Sequence, residues 1–160
     1  MQDPPTTAHT DPKRAVLELV AGAPEDAFRC HAPDVYLGED VPFGDRGPGQ
    51  LGVPVCYVLA PDGGSHELHS ADAEHLDGTD QVVVECWTLD QDAVHPLAED
   101  VVDLLAFYAN DNEACTPFHR IRPTGIDDYR DGHAARRTEH YVEAVDVELH
   151  RHRPLDWASL

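Results

Sequence analysis

The amino-acid sequence predicts an α+β fold in which a mostly antiparallel β-sheet is packed against two α-helices. Three patterns lead to this fold class. Residues 81–88 form a β-branched and aromatic run of strand length, and apolar residues then recur every three or four positions over 94–108. Residues 141–151 alternate between apolar and polar side chains, as expected of a half-buried strand. The predicted strands occur in groups around two helices, which is typical of the α+β class.

The first predicted helix covers residues 11–21. Thr10 or Asp11 can cap its N-terminus, Pro12 suits its first turn, and Gly22 follows its last residue. The helix is short, so its stability is expected to come mainly from packing on the sheet.

Two strands and a long loop are predicted next. Residues 34–37 and 53–59 have strand composition, and the intervening segment 38–52 is rich in glycine and proline. Loops of this length in a small domain usually serve a function, and Phe43 is the only large aromatic side chain in this one. Residues 66–77 are polar and are predicted to be an irregular connection.

The second predicted helix directly follows the strand at 81–88. Asp92 is its predicted N-cap, and Pro96 is placed in its first turn. The apolar stripe is predicted to face the sheet, with Glu99, Asp100 and Asp103 facing away from it. The stripe consists of Val94, Leu97, Ala98, Val101, Leu104, Leu105 and Tyr108.

The C-terminal third is predicted to contain three strands. Residues 118–122 and 126–129 form two of them, separated by a turn at 123–125, and residues 141–151 form the last. The predicted organisation of the chain is therefore a flexible N-terminal arm at 1–10, a single α+β domain at 11–151 and a C-terminal tail at 152–160.

The formal net charge is −20, from 31 acidic and 11 basic side chains. The acidic residues are interleaved with regular apolar patterning, which favours a folded protein in high salt over a disordered acidic segment. In molar salt the screening length falls to roughly 3 Å, so mutual repulsion is weak. The sequence therefore indicates a halophilic host. No stretch is long and apolar enough to predict a membrane span, so no membrane partner is expected.

The charge is distributed unevenly along the chain. Residues 1–115 carry 4 basic and 23 acidic side chains, whereas residues 116–160 carry 7 arginines and 8 acidic residues. The arginines of the C-terminal third are expected either to pair with acids on neighbouring strands or to form a contact surface. The residues predicted to contact another subunit or a partner are Phe43, Arg120, Arg122, Arg136, Arg137 and Arg151.

No pattern in the sequence indicates catalysis, a cofactor or a metal. His66 and His69 are three positions apart in a breaker-rich region, whereas the zinc-binding histidines of the helical motif H-E-x-x-H are four positions, or about one turn, apart. None of the four cysteines lies in a C-x-x-C spacing, and Cys56 and Cys86 are predicted to be small buried side chains. We therefore expect no enzyme activity, no catalytic residues, no cofactor and no bound metal. Overall negative charge also disfavours general nucleic-acid binding.

The order of these elements resembles the tail terminator, or tail completion, proteins of long-tailed viruses. The resemblance lies in the helix at 14–20, the strand at 53–58, the strand 82–87 that ends in Trp, and the helix at 93–105. A closing strand follows a polar loop over 136–147. The similarity covers residues 12–151 as a pattern of elements, and this family has no catalytic residues to assign.

The resemblance implies a structural virion protein located at the head–tail interface and assembled in the host cytoplasm. Its subunits would form a ring, typically of about six, that ends the tail tube and provides a docking face for the neck. The implied partners are further copies of the chain, the tail tube protein and the neck or connector protein. Viral DNA would pass through the bore without sequence-specific binding, in a virus of a halophilic archaeon.

Two alternatives remain open from the sequence. The chain could be a head–tail connector or neck protein of the same virion, which would also assemble as a ring. It could instead be a small host enzyme or metal-binding α+β domain that uses some of its histidines, and such a protein would retain stoichiometric metal through purification.

Overall fold

The computed structural model describes residues 11–38, 54–60, 65–71, 75–109, 118, 120–128 and 141–154. Within these ranges the chain forms six strands and two α-helices, with a short 3₁₀ turn after the first helix, and this confirms the predicted α+β class. The elements are α1 Pro12–Ala21, the 3₁₀ turn Glu25–Ala27, β1 Asp34–Leu37, β2 Val55–Leu59, β3 Ser65–Ala71, β4 His75–Thr88, α2 Gln91–Ala109, β5 Arg120–Asp128 and β6 Tyr141–Pro154. Neither described helix is long and apolar enough to cross a membrane.

The strands form one sheet in the order β1-β2-β4-β6-β5, and β3 pairs with the first half of β4. Every pairing is antiparallel except that of β1 with β2, so the sheet is mixed but mostly antiparallel. Strands β4 and β6 pair along all 14 residues of each and form the centre of the sheet. The N-terminal strands therefore lie at one flank of the sheet and the C-terminal strands at the other.

Both helices pack on the same face of the sheet. Helix α1 contacts β1, β2 and β4, whereas α2 contacts β4, β5 and β6. Alternate residues of the central strands point at the helices and are almost fully buried, as expected for strands with one face on a core. The sheet side of this core includes Cys56, Val58, Val82, Val84, Cys86, Ile121, Val145, Val147 and Leu149.

Helix α1 forms as the sequence predicts. The Asp11 carboxylate accepts a hydrogen bond from the backbone N–H of Lys13 at 3.0 Å, and Gly22 is the C-cap. Its buried stripe consists of Ala15, Val16, Leu19 and Val20.

Helix α2 begins at Gln91, two residues earlier than an N-cap at Asp92 predicts. The predicted N-cap Asp92 is wrong, because the carboxylate of Asp90 accepts a hydrogen bond from the backbone N–H of Asp92 at 2.9 Å. Pro96 consequently lies inside the helix rather than in its first turn. The predicted apolar stripe is buried from Val94 to Leu105, while the side chain of Tyr108 lies outside the described residues.

Three strand predictions need correction. The connection expected to be irregular at 66–77 contains β3 and the start of β4, so β4 extends six residues before Gln81. The two strands expected at 118–122 and 126–129 form the single strand β5, in which a shift of register between Pro123 and Gly125 accommodates the expected turn. Strand β6 continues to Pro154, into the predicted tail. The predicted N-terminal arm at 1–10 and most of the predicted loop at 38–52 lie outside the described residues.

Candidate functional site

The face of the sheet away from the helices carries two of the predicted contact residues. Arg120 and Arg122 are exposed on β5, where their Cα partners on β6 are His150 and Glu148. Arg122 Nη2 lies 3.3 Å from Glu148 Oε1, so this arginine pairs with an acid of the neighbouring strand. The two arginines are two residues apart on one strand and therefore share a face.

Glu148 is the centre of this group of side chains. Its carboxylate oxygens lie 2.7 Å from His150 Nε2 and accept a hydrogen bond from Gln81 Nε2 at 3.3 Å. Partial burial disfavours its charged form, but the hydrogen bonds from His150 and Gln81 and the charges of His150 and Arg122 outweigh that effect and lower its pKa. Glu148 is therefore held ionised beside the exposed arginine pair.

On the same face of the sheet, away from the helices, the opposite end of the β5–β6 pair carries acidic side chains. Asp127 and Asp146 are neighbours across these two strands, and burial followed by hydrogen bonding and charge repulsion from Asp127 raises the pKa of Asp146 to about 6. This face of β5 and β6 thus changes from arginine at one end to paired carboxyl groups at the other.

Arg151 does not lie with Arg120 and Arg122. It follows the core residue Leu149 by two positions on β6, so it points to the helix-covered side of the sheet. There its Nη2 lies 2.9 Å from the carboxylate of buried Asp80, and its guanidinium lies 5.2 Å from the centre of the Phe118 ring. The structure thus brings together two of the predicted contact residues and separates the third from them. Phe43, Arg136 and Arg137 lie outside the described residues.

A second apolar cluster lies on the face away from the helices, near β1 and β2. The rings of Tyr57 and Trp87 meet edge-on at 5.4 Å, and that of Tyr36 lies 6.2 Å from Tyr57. Trp87 Nε1 donates a hydrogen bond to buried Glu85 at 3.2 Å. Burial, with the nearby Tyr36 and Glu85, raises the pKa of Tyr57. Tyr36 is exposed, so one aromatic ring of this cluster is accessible to solvent at the β1 flank.

Sequence reasoning missed a charged contact between Arg29 and α2. Asp100 was expected to face away from the sheet, but it is only 5% exposed and binds both the backbone N–H and the Nε of Arg29, at 2.9 and 2.7 Å. The prediction for Asp100 is therefore wrong. Asp100 follows Leu97 by three residues and precedes Leu104 by four, and this spacing could have placed it on the buried stripe.

The contact extends along α2 through further charged groups. Arg29 Nη2 lies 3.6 Å from Glu99 and 3.7 Å from Asp103, and its hydrogen bond to Asp100 and the charges of Asp100 and Glu99 raise its pKa. Glu99 also lies 3.0 Å from the Nε2 of His95.

His95 connects α2 to β6. Its Nδ1 lies 2.7 Å from Glu143, and its Nε2 faces Glu99, so both ring nitrogens face carboxylate oxygens. A neutral imidazole has one N–H and can donate to only one of them, whereas the imidazolium ion can donate to both. The hydrogen bond and charge of Glu143 accordingly raise the pKa of His95, with Glu99 adding to the effect and Arg29 opposing it.

No three His, Cys, Asp or Glu side chains are arranged to hold a metal ion within the described part of the chain. His150 is hydrogen-bonded to Glu148. The side chains of His66, His69 and His75 lie outside the described residues. The described charged groups of this surface offer ion pairing and hydrogen bonding.

The fold and this surface define a small, strongly acidic α+β domain with helices on one face of a mixed sheet. No protein-family model and no curated protein sequence matches the chain.

Proposed function

We propose that this chain is a structural virion protein of the tail terminator type. It would form a ring that ends the tail tube and joins it to the head-side neck. The observation that carries the proposal is the order of strands across the sheet. The strands of the acidic N-terminal part, β1 and β2, lie at one flank, while β5 and β6, from the nearly charge-balanced C-terminal third, lie at the other.

A closed ring of identical subunits needs two different surfaces on each subunit, because the contact is heterologous. The two flanks of this sheet differ in charge, because the β5 flank carries exposed arginines at one end, with Asp127 and Asp128 at the other. One flank exposes Tyr36 beside Asp34, and the other exposes Arg120 and Arg122. Contact between an acidic and aromatic flank and an arginine-bearing flank of the next subunit would be complementary.

The order of elements gives a second line of support. Each element on which the resemblance to tail terminators rests corresponds to a formed helix or strand, from α1 through β2, β4 and α2 to β6. Arg120 and Arg122 are the contact residues that we retain for the subunit interface. Arg151 is expected to contribute mainly within its own subunit, since its guanidinium already binds Asp80 and Phe118.

The first test is the mass of the purified protein by light scattering in molar salt, with metal content measured on the same sample. We expect a metal-free species that forms a closed ring of about six subunits, alone or on adding tail tube protein. A strictly monomeric protein that carries one tightly held metal per chain would contradict the proposal and favour a metal-binding domain. A ring that binds the neck or portal side but never the tube would favour the connector alternative.

The second test reverses the charge of the retained contact residues. The double variant Arg120→Glu and Arg122→Glu should lose ring formation while keeping nearly the parent melting temperature, because both side chains are exposed. Asp92→Lys is the control, since it reverses an exposed charge at the start of α2. Equal loss of assembly in both proteins would show that the β5 surface has no special role.

A further inference from the structure

The buried cysteines of β2 and β4 are two thiols placed close enough to be joined by a disulfide bond. Cys56 and Cys86 are direct Cα partners in the antiparallel ladder, and their Sγ atoms lie 3.9 Å apart. Both side chains are fully buried on the helix-covered face of the sheet, and both are free thiols. We propose that this pair is a redox modification site that is oxidised to an intramolecular disulfide, which covalently joins β2 to β4.

The backbone already satisfies the requirements of such a bond. Directly opposed residues of antiparallel strands have Cα atoms about 4.5 or 5.5 Å apart, and both values fall within the range of about 4.4–6.8 Å seen for disulfides. Direct partners also project to the same side of the sheet, as the contact between the two sulfur atoms confirms. Rotation of the two side chains would bring the sulfur atoms closer, since the Cα atoms of opposed partners already lie within the range seen for disulfides.

The surroundings of the pair favour a slow and selective reaction. The hydrogen bond with Cys56, burial, and the charges of Glu143 and Glu85 raise the pKa of Cys86, so its thiol stays protonated at neutral pH. Because the pair is enclosed in the core, a large disulfide reagent cannot reach it without opening of the sheet. A small oxidant such as hydrogen peroxide needs only a limited opening, whereas exposed Cys30 is open to reagents of any size.

The reaction with hydrogen peroxide balances in two steps. One thiolate attacks a peroxide oxygen, the O–O bond breaks, and a sulfenic acid and hydroxide form. The second thiolate then attacks the sulfenic sulfur, the S–O bond breaks, the S–S bond forms, and a second hydroxide leaves. The two thiol protons convert the two hydroxides to water. Two thiols are thus oxidised to one disulfide while one peroxide is reduced to two waters.

The bond would stabilise the part of the sheet that the chain between the two cysteines contributes. This part includes β3 and most of β4, and closing it by a covalent bond reduces the conformational freedom of the unfolded chain. The protein would therefore exist as a dithiol in a reducing compartment and as a more stable crosslinked form after exposure to oxidant. This inference does not depend on the proposed virion function.

The test uses full-length protein with Cys30→Ser and Cys115→Ser, so that only the pair remains. After treatment with hydrogen peroxide in molar salt, intact mass should fall by two hydrogen atoms, and peptide mapping should find Cys56 joined to Cys86. The reaction should quicken as pH rises toward the raised pKa of Cys86. The melting temperature should rise by about 5 °C and return to its starting value on treatment with a phosphine reductant.

The matched control adds Cys56→Ser to the same protein, and it should show neither the mass loss nor the thermal shift. If that variant fails to fold, mapping of the peroxide-treated natural chain decides the question. A Cys56–Cys86 linkage there would support the proposal. Both thiols remaining open to alkylation after unfolding, or either one carrying a sulfinic acid, would overturn it.

Discussion

Two sets of charged residues lie on opposite faces of the sheet, and they differ in what they connect. On the helical side, Arg29 binds Asp100 across a separation of 71 residues, and His95 links α2 to β6 across 48. On the other side, Arg122 pairs with Glu148 of the adjacent strand at a longer distance of 3.3 Å, and both arginines of β5 are exposed. The helical set joins elements that no strand pairing connects, whereas the other set adds to strands already held by backbone hydrogen bonds.

This difference predicts which charged contacts contribute to the stability of the fold and which contribute little to it. Loss of Arg29 on the helical side leaves buried Asp100 without its cation, which is costly in a low-dielectric environment. Loss of an exposed pair in molar salt costs little, because such pairs are weak and strongly screened. In the proposed ring, the exposed side chains of β5 would therefore exchange their present partners for those of the next subunit at small energetic loss.

The largest effect is expected for Asp100→Asn. The amide would keep the size of the side chain but lose the charge-assisted hydrogen bonds to Arg29, and the free energy of unfolding should fall by roughly 2 kcal/mol. Asp103→Asn is the matched control, because Asp103 is 77% exposed and lies 3.7 Å from the same guanidinium. That variant should stay within about 0.5 kcal/mol of the parent in denaturant unfolding. Similar losses in the two variants would mean that burial of Asp100 does not determine its contribution.

A smaller effect is expected for Arg151→Met compared with Arg122→Met. Arg151 binds an acid that is almost fully buried and also contacts the Phe118 ring, so its removal should lower the free energy of unfolding by roughly 1.5 kcal/mol. Arg122 is exposed, and its removal should change that quantity by less than about 0.5 kcal/mol. Chemical denaturation of both variants in the same salt checks the order. The reverse order would place the more important arginine on the outer face.

Local signals in the sequence were sufficient for the elements whose stability is local. The Asp11 cap, the Gly22 end and the apolar stripe of α2 all follow from the residues within a few turns, and the structure contains each of them. The same reasoning could not find β3, because its polar composition resembles a loop and the strand exists through its pairing with β4.

The charged contacts show the same limit. The alternation of β6 implies that Glu148 and Arg151 lie on opposite faces, but the predicted contact set groups the arginines by composition rather than by face. The partner of Asp100 is a residue far along the chain in an irregular segment, so no periodic pattern marks it. Long-range polar contacts of this kind depend on the tertiary structure, so they cannot be predicted from local sequence patterns.

The contact of His95 should make stability depend on pH in a specific direction. The groups that face it are Glu143, Glu99 and, at greater range, Arg29, and their net effect raises its pKa above 6.5. The stabilisation is therefore fully present below about pH 6.5 and is lost as pH rises through the folded-state pKa. Because His95 is mostly exposed, the loss should be no more than about 0.5 kcal/mol.

Melting temperatures between about pH 6 and pH 9 at constant salt test the prediction, and His95→Gln should remove this part of the pH dependence. A His95→Gln protein with an unchanged pH profile would show that the imidazolium does not hold α2 to β6. His150→Gln serves as a comparison, because that ring contacts Glu148 on the outer face instead.

A second pH-dependent effect is expected from the carboxyl pair on the outer face. The pKa of Asp146 is raised from 3.8 to about 6, so its contribution to stability is most favourable below 3.8 and is lost as pH rises through about 6. Asn resembles the protonated carboxyl group, and Asp146→Asn should therefore raise the melting temperature at about pH 8 and change it less at about pH 5. Asp127→Asn should act in the same direction, since it removes the neighbouring charge. A rise in melting temperature seen only at low pH would contradict the predicted sign. A rise that disappears in molar salt would show that repulsion between the two carboxylates, rather than burial, causes the effect.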